Sequence, residues 1–88
     1  MNDFYIISFN STHHAIRTEK LLLEEGMNVL TLPTPREIAA SCGLSIKFEH
    51  EDMEKIIEIM NNNDIERRGI FHILKNSEGN REAKKICD

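Results

Sequence analysis

Phe4-Tyr5-Ile6-Ile7-Ser8-Phe9 is the stretch on which the fold turns. It is apolar, aromatic and β-branched without alternation, and Asn10-Ser11 ends it. A strand of that composition is buried on both faces and belongs in the middle of a sheet. Beyond it, Ser11 is a good N-cap and Gly26 a good residue to follow a helix C-terminus, which brackets a first helix over about 12–26. Ala15, Leu22 and Leu23 mark its apolar stripe, with Glu19 inside that stripe near the entry. Asn28 to Leu32 reads as a second strand, stopped by Pro33.

Thr34-Pro35-Arg36-Glu37 is a compact helix-start signal: a capping threonine, proline at the first helical position and a capping-box glutamate. It predicts a short helix to about Ser41, ended by Gly43. Ser45 to Glu49 alternates as a half-buried third strand. Glu51 to Asn62 is the clearest helix, with Met53, Ile56, Ile57 and Met60 on one face. Asn61 to Asp64 breaks it, and Ile65 to Leu74 reads as a last strand interrupted by Gly69. The residues from Asn76 onward are polar and read as a disordered tail or a loosely attached helix.

This order predicts an α+β fold of ferredoxin-like, split-βαβ type (βαββαβ): a four-stranded antiparallel sheet, order 4-1-3-2, with both helices on one face. Residues 1–75 form the single domain and 76–88 a polar C-terminal tail. Strand 28–32 becomes an uncharged edge, which predicts a homodimer through that edge or a tail that covers it.

The chain has 88 residues and a net charge of −4, with hydrophobic residues at 40%. That length holds one domain with a small core and leaves no room for separate substrate and cofactor domains. The acidic balance argues against a nucleic-acid binder. No apolar run approaches the roughly 18–20 residues that span a bilayer, so no membrane role is expected. The start lacks the basic region and cleavage site of a secretory signal, which predicts a cytoplasmic protein. Cys42 and Cys87 are too far apart for a C-x-x-C pair, so both are expected as free thiols.

The predicted topology brings the Asn10–His14, Pro33–Gly43 and Asn61–Asp64 connections to one sheet edge. Cys42 is the strong nucleophile in that group. It reads either as a small packing residue or as a reactive thiol activated by His13, His14, Arg36 and the first helix N-terminus. The dipole of its own short helix opposes a thiolate there. His13 and His14 read as exposed first-turn residues or as proton carriers; being adjacent, they point about 100° apart. None of the usual metal-ligand spacings is present, so neither a metal nor another cofactor is expected. Arg36 is a candidate anion ligand, with Ser11, Thr12 and Thr34 beside it. Residues 49–66 hold seven acids against Lys55, a run that reads as the solvated face of the second helix. His50 and His72 are placed away from this edge.

Phe9-Asn10-Ser11-Thr12-His13-His14-Ala15, Glu19-Lys20-Leu21-Leu22, Leu32-Pro33-Thr34-Pro35-Arg36-Glu37-Ile38 and Ser41-Cys42-Gly43-Leu44 carry a family resemblance. The chain resembles the selenium/sulfur carrier protein-like family, a group of small bacterial proteins, over roughly residues 4–75. The resemblance implies a carrier or accessory protein rather than a stand-alone enzyme, with Cys42 at the position of the family's motif cysteine. Such a carrier holds a persulfide or perselenide and exchanges it with sulfur or selenium donor and acceptor proteins. The alternative reading is a non-catalytic anion- or protein-binding module of the same fold.

Overall fold

In the computed structural model, residues 3–35, 38, 43–75 and 77–87 are described. Strand β1 (Phe4–Ser8) lies at the centre of a five-stranded sheet. Its consecutive residues Ile6 and Ile7 are both 0% exposed, and they enter two different apolar clusters. This is the physical meaning of the unbroken apolar run: alternate side chains go to opposite faces, and both faces are covered.

After β1 the chain forms α1 (Thr12–Glu24), β2 (Leu30–Pro33), β3 (Leu44–Phe48), a 3-10 turn at His50–Asp52, α2 (Met53–Asn62), β4 (Gly69–Lys75) and β5 (Arg81–Cys87). The strand order is β2-β3-β1-β4-β5, and every pairing is antiparallel. The fold is therefore α+β. The sheet has five strands where four were expected, because residues 81–87 pair along β4 instead of forming a disordered tail or a loose helix. The turn before β5 contains Gly79 at φ 83, a conformation that favours glycine. Arg81, Glu82, Lys84 and Lys85 offer little apolar surface, so β5 is held chiefly by its ladder to β4, with Ala83 packing in an apolar cluster. The chain's C-terminal segment thus covers the β4 side, and β2 stays an edge.

Both helices lie against one face. Ala15 and Leu22 of α1 and Ile56 and Met60 of α2 pack on Ile7, Ile46, Phe48 and Ile70. Leu23, expected in the α1 stripe, is 52% exposed; the fully buried position between Ala15 and Leu22 is Thr18. Its hydroxyl donates to the His14 carbonyl at 2.7 Å, which makes a polar side chain tolerable there. Arg17 Nη1 donates to the Asn63 carbonyl at 3.2 Å, tying α1 to the end of α2. α1 stops where Gly26 turns to φ 77, as its residue type suggested.

The opposite face has no helix. Ile6, Ile73 and the half-buried Phe4, Phe71 and Ala83 form its apolar patch, and Ile38 from the β2–β3 connection joins them. Ile38 is only 2% exposed. Ile38 therefore lies on the side of the sheet away from the helices.

Candidate functional site

The β2–β3 connection leaves the sheet through a closed neck. The Thr34 N–H donates to the Gly43 carbonyl at 3.1 Å, and the Thr34 hydroxyl reaches the same carbonyl at 3.1 Å. Thr34 Oγ1 also lies 2.9 Å from Ser45 Oγ, so the Ser45 hydroxyl donates to Thr34 while Thr34 donates to Gly43. Ser45 is fully buried and sits opposite buried Ser8 across the β1–β3 ladder. Gly43 has φ 151, a backbone region in practice reserved for glycine. These features explain the Thr and Gly at the two ends of the connection. Beyond the neck, the Ile38 N–H donates to the Pro35 carbonyl at 3.1 Å, a turn that sets Ile38 down on the sheet.

The end of β1 meets this neck. A Cβ on Gly43 would lie 3.6 Å from the Phe9 carbonyl, so the two chain segments pass close together. The Arg68 N–H donates to the Ser8 carbonyl at 2.7 Å, and Arg17 reaches Asn63 from α1. The three connections therefore gather at one sheet edge. Ser11 caps α1, accepting from the His13 N–H at 3.2 Å, and no acidic residue occupies the first helical turn. Thr12 and His13 are exposed and His14 is half-buried. Ser11 and Thr34 thus use their hydroxyl oxygens in local structure. Cys42, Arg36 and the expected short helix around them lie outside the described residues. Among the described residues, no set of three His, Cys, Asp or Glu side chains is placed to hold a metal.

A family model described as "Putative Se/S carrier protein-like" matches residues 4–72. The chain belongs to this family. No curated protein and no solved structure matches it. The portion shared with the Se/S carrier-like family begins at the first residue of β1 and ends inside β4, so it contains the whole gathered edge and the closed neck. Strand β5 lies beyond it.

Toward the other end of β1, the Se/S carrier-like chain has a second polar cluster that the residue pattern did not single out. The Tyr5 ring stacks on His72 with centroids 4.3 Å apart and planes at 3°, and His50 lies 4.7 Å away on a tilted plane. His72 Nε2 is 2.9 Å from an Asp3 carboxylate oxygen. That contact holds the Asp3 carboxyl below its ordinary pKa, chiefly through the hydrogen bond from His72. Asp3, Tyr5, His50 and Glu49 border an open groove of about 410 Å³. These residues come from three distant stretches of the chain, and the β1–β4 register brings Tyr5 opposite His72.

Proposed function

We propose that this protein is a sulfur or selenium carrier that uses Cys42 as the carrying thiol. Its membership of the Se/S carrier-like family is the observation that carries this reading. The gathered edge supports it, because the Thr34–Gly43 neck that closes the Cys42-bearing connection comes close to the end of β1, which leads into α1. The Cys42 thiolate attacks the terminal sulfur of a donor persulfide, R–S–SH. A new sulfur–sulfur bond forms at Cys42, the donor's sulfur–sulfur bond breaks, and the donor leaves as its thiolate. The exchange needs no external oxidant and no cofactor. Perselenide transfer has the same balance. Arg36 and backbone N–H groups of the first turn of α1 stabilise the anion, with Thr12 at the margin. His13 or His14 exchanges the proton. Ser11 and Thr34 support the site by fixing the helix start and the neck. The protein acts in a reducing cytoplasm, as an accessory to the donor and acceptor enzymes.

The test is mass spectrometry after incubation with a small-molecule persulfide. The native protein gains one sulfur and Cys42→Ser gains none. Arg36→Ala slows alkylation of Cys42 by iodoacetamide at neutral pH, because the thiolate loses a nearby cation. A Cys42 that takes up nothing in the native protein yet reacts readily in urea overturns the carrier reading. The surviving alternative is then an anion- or protein-binding module in which Cys42 only packs.

A further inference from the structure

Among the described strands, β2 has a neighbour on one side only, and the neck fixes which of its backbone groups face outward. The Thr34 N–H bonds the Gly43 carbonyl in the same register that pairs Leu32 with Ser45 and Leu30 with Lys47. Hydrogen-bonded positions alternate along an antiparallel ladder, so Thr34, Leu32 and Leu30 direct their backbone groups toward β3. Thr31 and Pro33 direct theirs to the open edge. Pro33 has no N–H, which leaves Thr31 as the donor of that edge within β2. No side chain of Leu30–Pro33 is charged, and charge is a usual guard of such an edge. Helix α1 runs beside it with two apolar side chains turned outward. Ile16 and Leu23 are each more than half exposed. Being seven residues apart, they lie on one side of the helix about two turns from each other. Glu19 and Lys20 are midway between them. Glu19 accepts from the Thr31 hydroxyl, which sets the midpoint of the Ile16–Leu23 stripe at the level of Thr31.

We propose that β2 and the outer side of α1 form a two-fold interface with a second copy of the chain, centred on Thr31. The surface is complementary to itself, as an isologous contact requires. Thr31 of each copy donates its N–H to the Thr31 carbonyl of the other, and the sheet runs on through both copies. The axis stands perpendicular to the sheet, so the two α1 helices lie antiparallel on the same face. Ile16 of one copy then meets Leu23 of the other. Leu30 and Leu32 share the helix-free face, where Leu30 of one copy meets Leu32 of the other. Glu19 and Lys20 of both copies gather at the axis, two charges of each sign. A strand from a different protein would satisfy the edge of β2 and leave Ile16 and Leu23 in water. A second copy covers strand and helix together, because the Glu19–Thr31 bond puts their centres at one level.

The experiment uses the full-length chain under reducing conditions. Sedimentation over a concentration series shows a monomer–dimer equilibrium. An equal mixture of isotope-labelled and unlabelled protein gives intermolecular NMR contacts between the methyl groups of Ile16 and Leu23, and between those of Leu30 and Leu32. The Thr31 amide gains protection from exchange as concentration rises. Lys20→Glu places four carboxylates at the axis and weakens dimerisation about fivefold or more, the scale of exposed charge pairs lost and reversed. Lys55→Glu makes the same charge change at an exposed position of α2 and leaves dimerisation unchanged. A parent chain that stays monomeric at millimolar concentration overturns the proposal and leaves the edge to a strand of another protein. Equal weakening by Lys20→Glu and Lys55→Glu, or a dimer that lacks these methyl contacts, overturns it as well. Cys42→Ser dimerises as the parent does and loses persulfide uptake, so this interface and the carrier reading fail separately.

Discussion

The Thr34 and Ser45 hydroxyls lie 2.9 Å apart, joining the first residue after β2 to a fully buried position of β3. This pair, with the two Thr34 bonds to the Gly43 carbonyl, closes the connection that contains Cys42. Thr34→Val keeps the shape and removes the hydroxyl. It leaves Ser45 without its partner, and we expect a loss of about 1–2 kcal/mol in urea unfolding. The same variant raises amide exchange at Gly43 and Leu44. Unchanged stability would mean that the hydroxyl pair is not what holds the neck.

Ile38 is the anchor at the far side of the connection. It packs on Ile6 and Ile73, two side chains with no exposure. Ile38→Ala removes buried methyl groups and is expected to cost about 2–4 kcal/mol. Part of that loss is local detachment of the connection, so Cys42 alkylation accelerates even where the sheet stays folded. An alkylation rate equal to that of the parent protein would show that Cys42 is positioned independently of this anchor.

Asp3 and His72 give a pH-dependent contact. The Asp3 carboxyl titrates below its ordinary value because His72 donates to it. A carboxyl lowered on folding contributes stability that is present above its unfolded pKa of about 3.9 and is lost as pH falls through the lower folded value. His72→Phe keeps a ring against Tyr5 and removes the donor. Carboxyl NMR titration of Asp3 should then move up toward the ordinary value, while the parent protein retains the lower one.

The uncharged edge β2 predicts self-association. Leu30 at its start is 61% exposed, and Ile16 and Leu23 are exposed on α1. Glu19 of α1 accepts from the Thr31 hydroxyl of β2, which fixes that side of the helix along this edge. Ile16 and Leu23 fall on the same side of α1 as Glu19, given about 100° per residue. A two-fold pairing of β2 with its copy is expected to cover Ile16 and Leu23 on the helix side of the sheet and Leu30, which shares a face with Lys47, on the other. Sedimentation of the full-length chain should show a dimer, and Leu23→Lys with Leu30→Lys should give a monomer. A parent monomer at high concentration removes this expectation.

Much of this architecture was legible in local patterns, and each legible feature had a local cause. Ile6 and Ile7 announced a strand buried on both faces. Ser11 and Gly26 marked the start and end of α1, because capping is decided within a few residues. The Met53, Ile56, Ile57 and Met60 stripe announced α2. Strand β5 was not legible, because Arg81–Cys87 lacks an apolar alternation and becomes a strand only through pairing with β4. Leu23 looked like core, yet α1 turns Thr18 inward once its hydroxyl can bond the His14 carbonyl. Thr34 looked like a helix cap, and in the fold its hydroxyl bridges Gly43 and Ser45.

By itself, the residue order determined the class of fold, the central strand, the two helices and the family to which the chain belongs, since these follow from periodicity, end signals and motif. Tertiary structure alone decided that Ile38 packs on the helix-free face and that Tyr5 lies against both His50 and His72. Those relationships join residues far apart in the chain. They depend on strand register, and a shift of one residue would send each side chain to the opposite face.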